Sequence, residues 1–428
     1  MIRRAMAVLS CVWMSAAGVQ AAELGIRNGD VVVFLGDDAT EEYGGPQRPD
    51  RLSYPTLVES FLTVRYPDIR VTYYNDAMSG ATAANTLARL DRDVLPQKPT
   101  VAVICLGLRD AGSRAFDSAL LAAHKAAMER LIRSLKNAGC RVYVLSPPAL
   151  EEQPSGAGGQ ADYDDTLARY AAAQREIASA ESAQFVDWFA AVSAGRSKGG
   201  RRRGPASPDA FRPSFRSCAL AASLLLDALH AEPIDVEIEA DWKSGAIRSS
   251  TGTATLAVSP NGARVIRVTN LPLPWPGLIG QGEVLSSDTD ITRWCRFVLK
   301  VKDAPATGVL MADGDRQVPV LPQQLAEGLN LVPVEPLRSL DAAQELSNLI
   351  RRKNYVRTHA WRDQELQPIR DPELVEAQKT LIAAWYKYFA GYDRIIARMP
   401  KTFDLRIELS ELKLTLPTSM PETAPSEK

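Results

Sequence analysis

From about residue 28 to residue 230, apolar runs of strand length alternate with amphipathic stretches of helix length. The runs are rich in β-branched residues: residues 30–35, "IRVTYYN" (69–75), "TVAVICLG" (100–107), "RVYVLSPP" (141–148) and "AQFVDW" (183–188). Helical periodicity fills the intervals at roughly 54–65, 82–95, 116–138, 162–182 and 214–230. Strands that are apolar on both faces need cover on both faces, the pattern of a parallel sheet between helical layers. Right-handed crossovers then predict an α/β fold, a three-layer α/β/α domain over residues 22–232. Ligands of such domains bind where the C-terminal ends of the strands meet the loops. "FLGDD", "YYNDAMSG", "CLGLRD" and "SPDAFRP" all fall at that edge.

Past Pro233 the period changes. "IDVEIEADW", "TATLAVS", "ARVIRVTNL" and "RFVLKVKD" alternate apolar and polar positions between turn signals, which predicts a small antiparallel β domain over 233–335. Helices at about 338–359 and 372–397 and a last short strand, "TFDLRIEL" (402–409), make up a C-terminal segment, 336–416. Residues 417–428, rich in Pro, Thr, Ser and Glu, read as a disordered tail. "AVSAGRSKGGRRRGPASP" (191–208) shows no periodicity and reads as a solvated loop, its Arg201–Arg203 run included.

Composition adds three constraints. The 428-residue length suggests two or three domains. With 50 basic and 51 acidic residues, no global field recruits nucleic acid or an anionic membrane, so neither is an expected partner. Residues 1–21 have the layout of a signal peptide: Arg3 and Arg4, an apolar stretch from Ala5 to Gly18, then "VQA" as the cleavage point. A lipobox ending at Cys11 would leave too short an apolar run before it, and no other stretch is long enough to span a bilayer. The mature protein is therefore expected to be exported, to the periplasm or the medium. Its four remaining cysteines, Cys105, Cys140, Cys218 and Cys295, are isolated and read as small buried core residues. None has zinc-ligand spacing, and no cofactor is called for.

The order and spacing of segments over 28–230 resemble the SGNH, or GDSL-type, hydrolases, and "NDAMSGATAANTLARLDRDVL" (75–95) is the most specific stretch. The resemblance implies secreted or periplasmic ester hydrolysis on an α/β/α fold. "RTHAWRDQEL" and "TFDL" also look like appended regions of some bacterial, planctomycete-type members. Four blocks carry the family's chemistry. In the first, Gly-Asp-Ser, Gly36 and Asp37 match, but Asp38 stands at the nucleophile. In the second, Gly80 matches the glycine whose N–H helps form the oxyanion hole. In the third, Gly-x-Asn-Asp, Gly107 and Asp110 match, but Arg109 replaces the oxyanion-binding Asn. In the fourth, Asp-x-x-His-Pro, Asp209 and Pro213 match, but Arg212 replaces the general base.

Each replacement has a chemical meaning. Asp38 has no hydroxyl, and a carboxylate attacking an ester gives an anhydride that needs hydrolytic machinery of its own. Arg212 stays protonated and cannot accept the nucleophile's proton. Arg109 can still stabilise an oxyanion. The expected outcome is a pseudoenzyme in which Asp38, Arg109, Asp209 and Arg212 form a charge-balanced internal cluster. A binding module would instead use Arg109, Arg212 and Gly80 to hold a small anionic or carbohydrate ligand. An esterase or acylhydrolase with a non-standard mechanism is the alternative. A metal-dependent hydrolase on Asp37, Asp38 and Asp110 is disfavoured by the neighbouring arginines. His124, His230 and His359 read as surface or capping residues, and Ser79, Ser207 and Ser214 as loop or cap residues. Trp275 in "LPLPWPG" reads as a docking residue, and "NYVRTHAWRDQ" (354–364) is open between docking and an approach of Arg357, Trp361 and Arg362 to the cleft.

Overall fold

A computed structural model describes residues 23–42, 52–112, 116–154, 160–199, 204–207, 211–278, 289–314, 316–332, 341–358 and 371–411. The N-terminal segment 1–21, Arg201–Arg203, Asp209, His359, Trp361, Arg362 and the tail 417–428 lie outside the described residues.

Five strands, β1 (Val31–Gly36), β2 (Thr72–Asn75), β3 (Val101–Cys105), β4 (Arg141–Leu145) and β6 (Gln184–Val186), form one sheet in the order β2-β1-β3-β4-β6. Every pairing in it is parallel. Successive side chains alternate between two cores: Val32, Phe34 and Val103 enter one, and Val33, Leu35 and Ile104 the other. Helix α1 (Tyr54–Arg65) contributes to the first core. The short α2 (Ala83–Ala88) and the long α3 (Ser118–Asn137) contribute to the second. Caps follow the sequence. Asp117 accepts from Ala119 N and Leu120 N at the start of α3. Beyond β5 (Glu152–Pro154), helix α4 (Gln160–Ala180) crosses back to β6.

Two local predictions are corrected. The helix expected over 82–95 stops at Ala88 and continues as a wider turn over Leu90–Val94 and a tight one over Leu95–Gln97. The stretch read as a solvated loop is helical as far as Gly199, in α5 (Trp188–Gly199). Its helicity has a packing cause: Trp188 and Val192, one turn apart, are both buried, and Gly195 leaves room for the Arg216 guanidinium. A short strand, β7 (Gly204–Ser207), then pairs with β5, and α6 (Phe215–Ala228) starts at a Ser214 cap.

The remaining strands make two sheets. In the first, β8 (Ile234–Asp241) pairs antiparallel with β9 (Ile247–Ser249), and β12 (Cys295–Lys302) pairs antiparallel with β15 (Leu329–Asn330). β8 and β12 run parallel over eight residue pairs. In the second, β10 (Thr253–Val258), β11 (Arg264–Pro272), β13 (Val309–Asp313), β14 (Arg316–Val320) and β16 (Thr402–Glu411) are antiparallel throughout. The chain's last strand, β16, lies between β11 and β13, so a segment distant in sequence completes the sheet's centre. Phe297 and Phe403 meet between the two sheets, ring centroids 5.9 Å apart. Short helices α7 (Thr289–Thr292) and α8 (Pro322–Glu327) and long helices α9 (Asp341–Val356) and α10 (Pro372–Arg398) complete the chain.

Helix α1 joins the two parts. Ten of its twelve residues are buried, Glu59 and Ser60 among them. Trp275 is fully buried and donates its Nε1 to Leu57 O at 2.9 Å, as the docking reading expected. Phe61 packs edge-on against both Trp275 and Trp294. Helix α9 docks through charge. Lys353 Nζ pairs with Glu59 and, at 3.0 Å, with Asp393. Asn354 Nδ2 donates to Thr56 Oγ1 at 3.0 Å and to Glu59 Oε2 at 2.9 Å. Burial works against the Lys353 charge, but the Glu59 and Asp393 carboxylates outweigh it and raise its pKa. Breaking such a buried pair leaves an uncompensated charge, so Lys353→Met is expected to cost about 3–5 kcal/mol. Glu59→Leu/Lys353→Met should cost less than either single change, which urea unfolding of the four proteins in a double-mutant cycle would read.

Candidate functional site

The chain leaves β1 through Gly36, where only glycine fits. An added Cβ would lie 2.1 Å from Thr40 Oγ1 and 2.7 Å from Cys105 O. The turn that follows is closed by Thr40 N and Glu41 N, both donating to Asp37 O. It points Asp37 inward and Asp38 to the sheet's C-terminal edge. Gly80 arrives at the same edge from the loop after β2, with a left-handed φ of +78°. Arg109 arrives from the loop after β3.

These three residues meet. Arg109 grips the Asp38 carboxylate with both arms of its fork, Nε to Oδ2 at 2.6 Å and Nη2 to Oδ1 at 2.5 Å. Gly80 N donates to Asp38 Oδ2 at 2.8 Å, and Ser79 Oγ to Oδ1 at 2.6 Å. The carboxylate of residue 38 thus rests on the backbone N–H that the family resemblance assigns to the oxyanion hole. Burial pushes the Asp38 pKa up, but Arg109, Ser79 and Gly80 together hold it below the usual carboxylate range. The same pairing raises the Arg109 pKa. Bidentate, charge-assisted bonds of this kind are the strong class.

Phe211 lies over the Arg109 guanidinium, 4.1 Å from its carbon to the ring centroid, and packs edge-on against Tyr163. Tyr163 Oη in turn donates to Leu108 O at 2.7 Å. The fourth sequence block therefore does reach the site, by an aromatic residue outside the motif's own positions. The signal available was an aromatic beside Arg212 in "DAFRP". Arg212 is half-buried on the same loop. Ser79, read as a plain loop residue, is a direct partner of Asp38.

Asp37 behaves oppositely to its neighbour. It is fully buried, accepts from Ala39 N and Leu108 N at 3.1 Å each, and ties the first loop to the third. Burial raises its pKa to about 8, against the Ala39 and Leu108 amides and with help from the Asp38 and Asp110 charges. Asp110 accepts from Ala83 N at the start of α2, 3.0 Å to Oδ1 and 3.2 Å to Oδ2. The three carboxyls have separate partners, and among the described residues no metal-holding group of three acidic, His or Cys side chains forms.

His124 is not a surface residue. It is 2% exposed, its Nδ1 lies 2.9 Å from Asp110 Oδ1 without hydrogen-bond alignment, and its Nε2 is 3.0 Å from Gln174 Nε2. Gln174 also donates to Leu106 O, so His124 braces the third loop from below. His230 is exposed just past α6, at a left-handed φ of +53°. Arg357 pairs with Asp76 at 2.9 Å and lies over Tyr74, both on the segment that leads to Ser79. The four cysteines are buried free thiols.

Residues 34–214 match the family described as GDSL-like Lipase/Acylhydrolase. An acetylxylan esterase of Geobacillus stearothermophilus is 26% identical over 184 residues, covering 39% of this chain and 80% of that relative. Among solved structures, a gut microbial diltiazem-metabolizing enzyme superposes with a TM-score of 0.68 at 18% identity, over 92% of this chain and all of that one. That likeness is one of fold, and it extends through the β sheets and the C-terminal helices. The solved acetylxylan esterase of G. stearothermophilus aligns at 22% identity with a TM-score of 0.40, over 49% of this chain.

The Asp37 carboxyl sets a pH dependence. Its proton is lost near 3.8 when unfolded but held to about 8 when folded. Between those values the folded state binds a proton that the unfolded state lacks, so stability falls as pH rises and levels off above the window. Each pH unit crossed there removes about 1.4 kcal/mol from this source. Asp38, with its pKa depressed, loses its contribution only as pH falls below the window. Asp37→Asn should flatten the decline, measured by urea unfolding at intervals from pH 5 to pH 8.5; an equal decline in both proteins would remove Asp37 as its cause.

Proposed function

The domain built on residues 34–214 belongs to the GDSL-like lipase/acylhydrolase family, and from that premise we propose that this chain is a member that does not hydrolyse esters. The observation that carries the reading is the Asp38 carboxylate bound to Gly80 N and Arg109. A reacting ester needs those donors free for the charge that develops on its carbonyl oxygen. Here a resident carboxylate holds them permanently.

Among the described residues, Ser79 is a hydroxyl at the edge, exposed and bonded to Asp38. Its neighbour is a weak base, because Arg109 stabilises the ionised form of Asp38. Arg109 is likewise committed. Gripping an anionic ligand through it would require breaking a two-armed bond that is already neutral overall. We therefore propose a closed, non-catalytic scaffold rather than an anion receptor built on Arg109. The signal-like segment at residues 1–21 supports placing that scaffold outside the cytoplasm.

Relatives named as esterases make residual hydrolysis the reading to test. The native protein is expected to leave short-chain aryl acetates and acetylated xylo-oligosaccharides at the uncatalysed rate, and to resist labelling by a serine-directed fluorophosphonate. Loss of nucleophile or base in a hydrolase of this logic costs about 10⁶ in turnover. Asp38→Ser/Arg109→Asn/Arg212→His should gain measurable turnover and labelling. Hydrolysis by the native protein that Asp38→Ala or Ser79→Ala abolishes would overturn the proposal.

A further inference from the structure

Helix α10 spans 27 residues, about 40 Å at 1.5 Å per residue. Leu374, Leu381, Tyr388 and Ile395 recur along it every seventh position and are 57%, 42%, 44% and 52% exposed. Among the described residues these are four of the six exposed large hydrophobics, so the molecule's exposed apolar side chains concentrate on one stripe. Three residues after each of the first three comes a small one: Ala377, Ala384 and Gly391. The helix's other face, through Phe389 and Ile396, packs into its own chain. A seven-residue repeat of apolar positions is the seam along which two helices associate.

We propose that this face is where a second copy of the chain docks, with the two α10 helices antiparallel. Size and charge both select that arrangement. Antiparallel pairing sets Leu374 against the partner's Gly391, Leu381 against the partner's Ala384, and Tyr388 against the partner's Ala377. Three of the four large side chains then face a small one, as close packing requires, and Ile395 lies past the start of the partner's helix. In the same register Glu373 at one end of the helix falls beside the partner's Arg394 at the other. Among the described residues, neither has an ion pair within its own chain. A parallel, in-register pair would stack Tyr388 on Tyr388 and Arg398 on Arg398, and would bring no opposite charges together. The antiparallel contact is isologous, so it closes at two chains. One helix face per chain is below the roughly 800 Å² per partner of a standard interface, so the dimer should dissociate on dilution.

Sedimentation equilibrium of the full chain from about 1 to 100 μM should show a monomer–dimer equilibrium. Leu381→Glu should leave a monomer with an unchanged circular-dichroism spectrum. Glu373→Arg and Arg394→Glu each place like charges together and should weaken association about tenfold. Glu373→Arg/Arg394→Glu should restore it. Both charged residues are exposed, so these variants carry the test even if Leu381→Glu perturbs folding. The proposal is overturned by a native protein monomeric throughout, by a dimer indifferent to all these changes, or by single reversals that the double does not rescue. Binding of the native protein, but not Leu381→Glu, to phosphatidylcholine–phosphatidylglycerol vesicles without self-association would assign the stripe to a membrane surface and likewise overturn it.

Discussion

Asp38 is 2% exposed and ionised, so its carboxylate must recover within the protein the hydrogen bonds it gave up in water. It finds four: two from Arg109, one from Gly80 N and one from Ser79. Two loops, after β2 and after β3, supply them to a residue on the loop after β1. The parallel sheet makes this convergence possible, because it delivers the ends of β1, β2 and β3 to one edge. The arrangement places a negative charge on the backbone N–H that the family resemblance assigns to the oxyanion hole. A set of donors suited to an oxyanion suits a carboxylate equally well. The proposed loss of hydrolysis follows from that equivalence rather than from damage to the loops.

The edge is held from behind by groups with no chemistry of their own. Asp37 bonds the amides of Ala39 and Leu108, and Asp110 bonds Ala83 N, so the three loops are tied in pairs. His124 and Gln174 fill the space beneath the third loop. Arg357 reaches from the end of α9 to Asp76, just before Ser79. Helix α1 carries the same logic to the rest of the molecule. It has no solvent face of its own, since the sheet lies on one side and Trp275, Trp294 and α9 lie on the others. Its Glu59 is therefore satisfied by Lys353 and Asn354, residues nearly three hundred positions away.

The parallel α/β/α layers and the identity of the site were legible because both depend on short-range pattern. Strand-length apolar runs fix which segments enter the sheet, and Gly36, Asp37, Gly80 and Asp110 mark the loop ends. The Asp38–Arg109 pair was foreseeable, since two opposite charges replaced two neutral residues at one edge. What escaped was set by packing at long range. Helix α5 looked like a loop because its Gly, Ser and Arg content is poor in helix signals, and only the burial of Trp188 and Val192 makes it helical. His124 looked like a surface residue because a single histidine on a helix carries no sign of the Asp110 beneath it. The central place of β16 in the second sheet could not be read from alternation, which gives a strand's faces but not its neighbours. Phe211 carries no sign in the sequence of the guanidinium it covers, because that contact joins loops far apart in the chain.

Residues 38 and 109 also constrain each other in a way that neither shows alone. With Asn at 109, Asp38 would keep its Gly80 and Ser79 partners but lose its counter-charge, leaving a desolvated carboxylate to take up a proton or to strain the loops. With Ser at 38, Arg109 would face Gly80 N and the Phe211 ring with no anion between them, an open site for a carboxylate or phosphate from solution. Only the pair together is both neutral and fully bonded. The two replacements therefore form one unit, and effects at the two positions should be strongly non-additive. Arg212 is half-buried on the loop that also brings Phe211 over the Arg109 guanidinium.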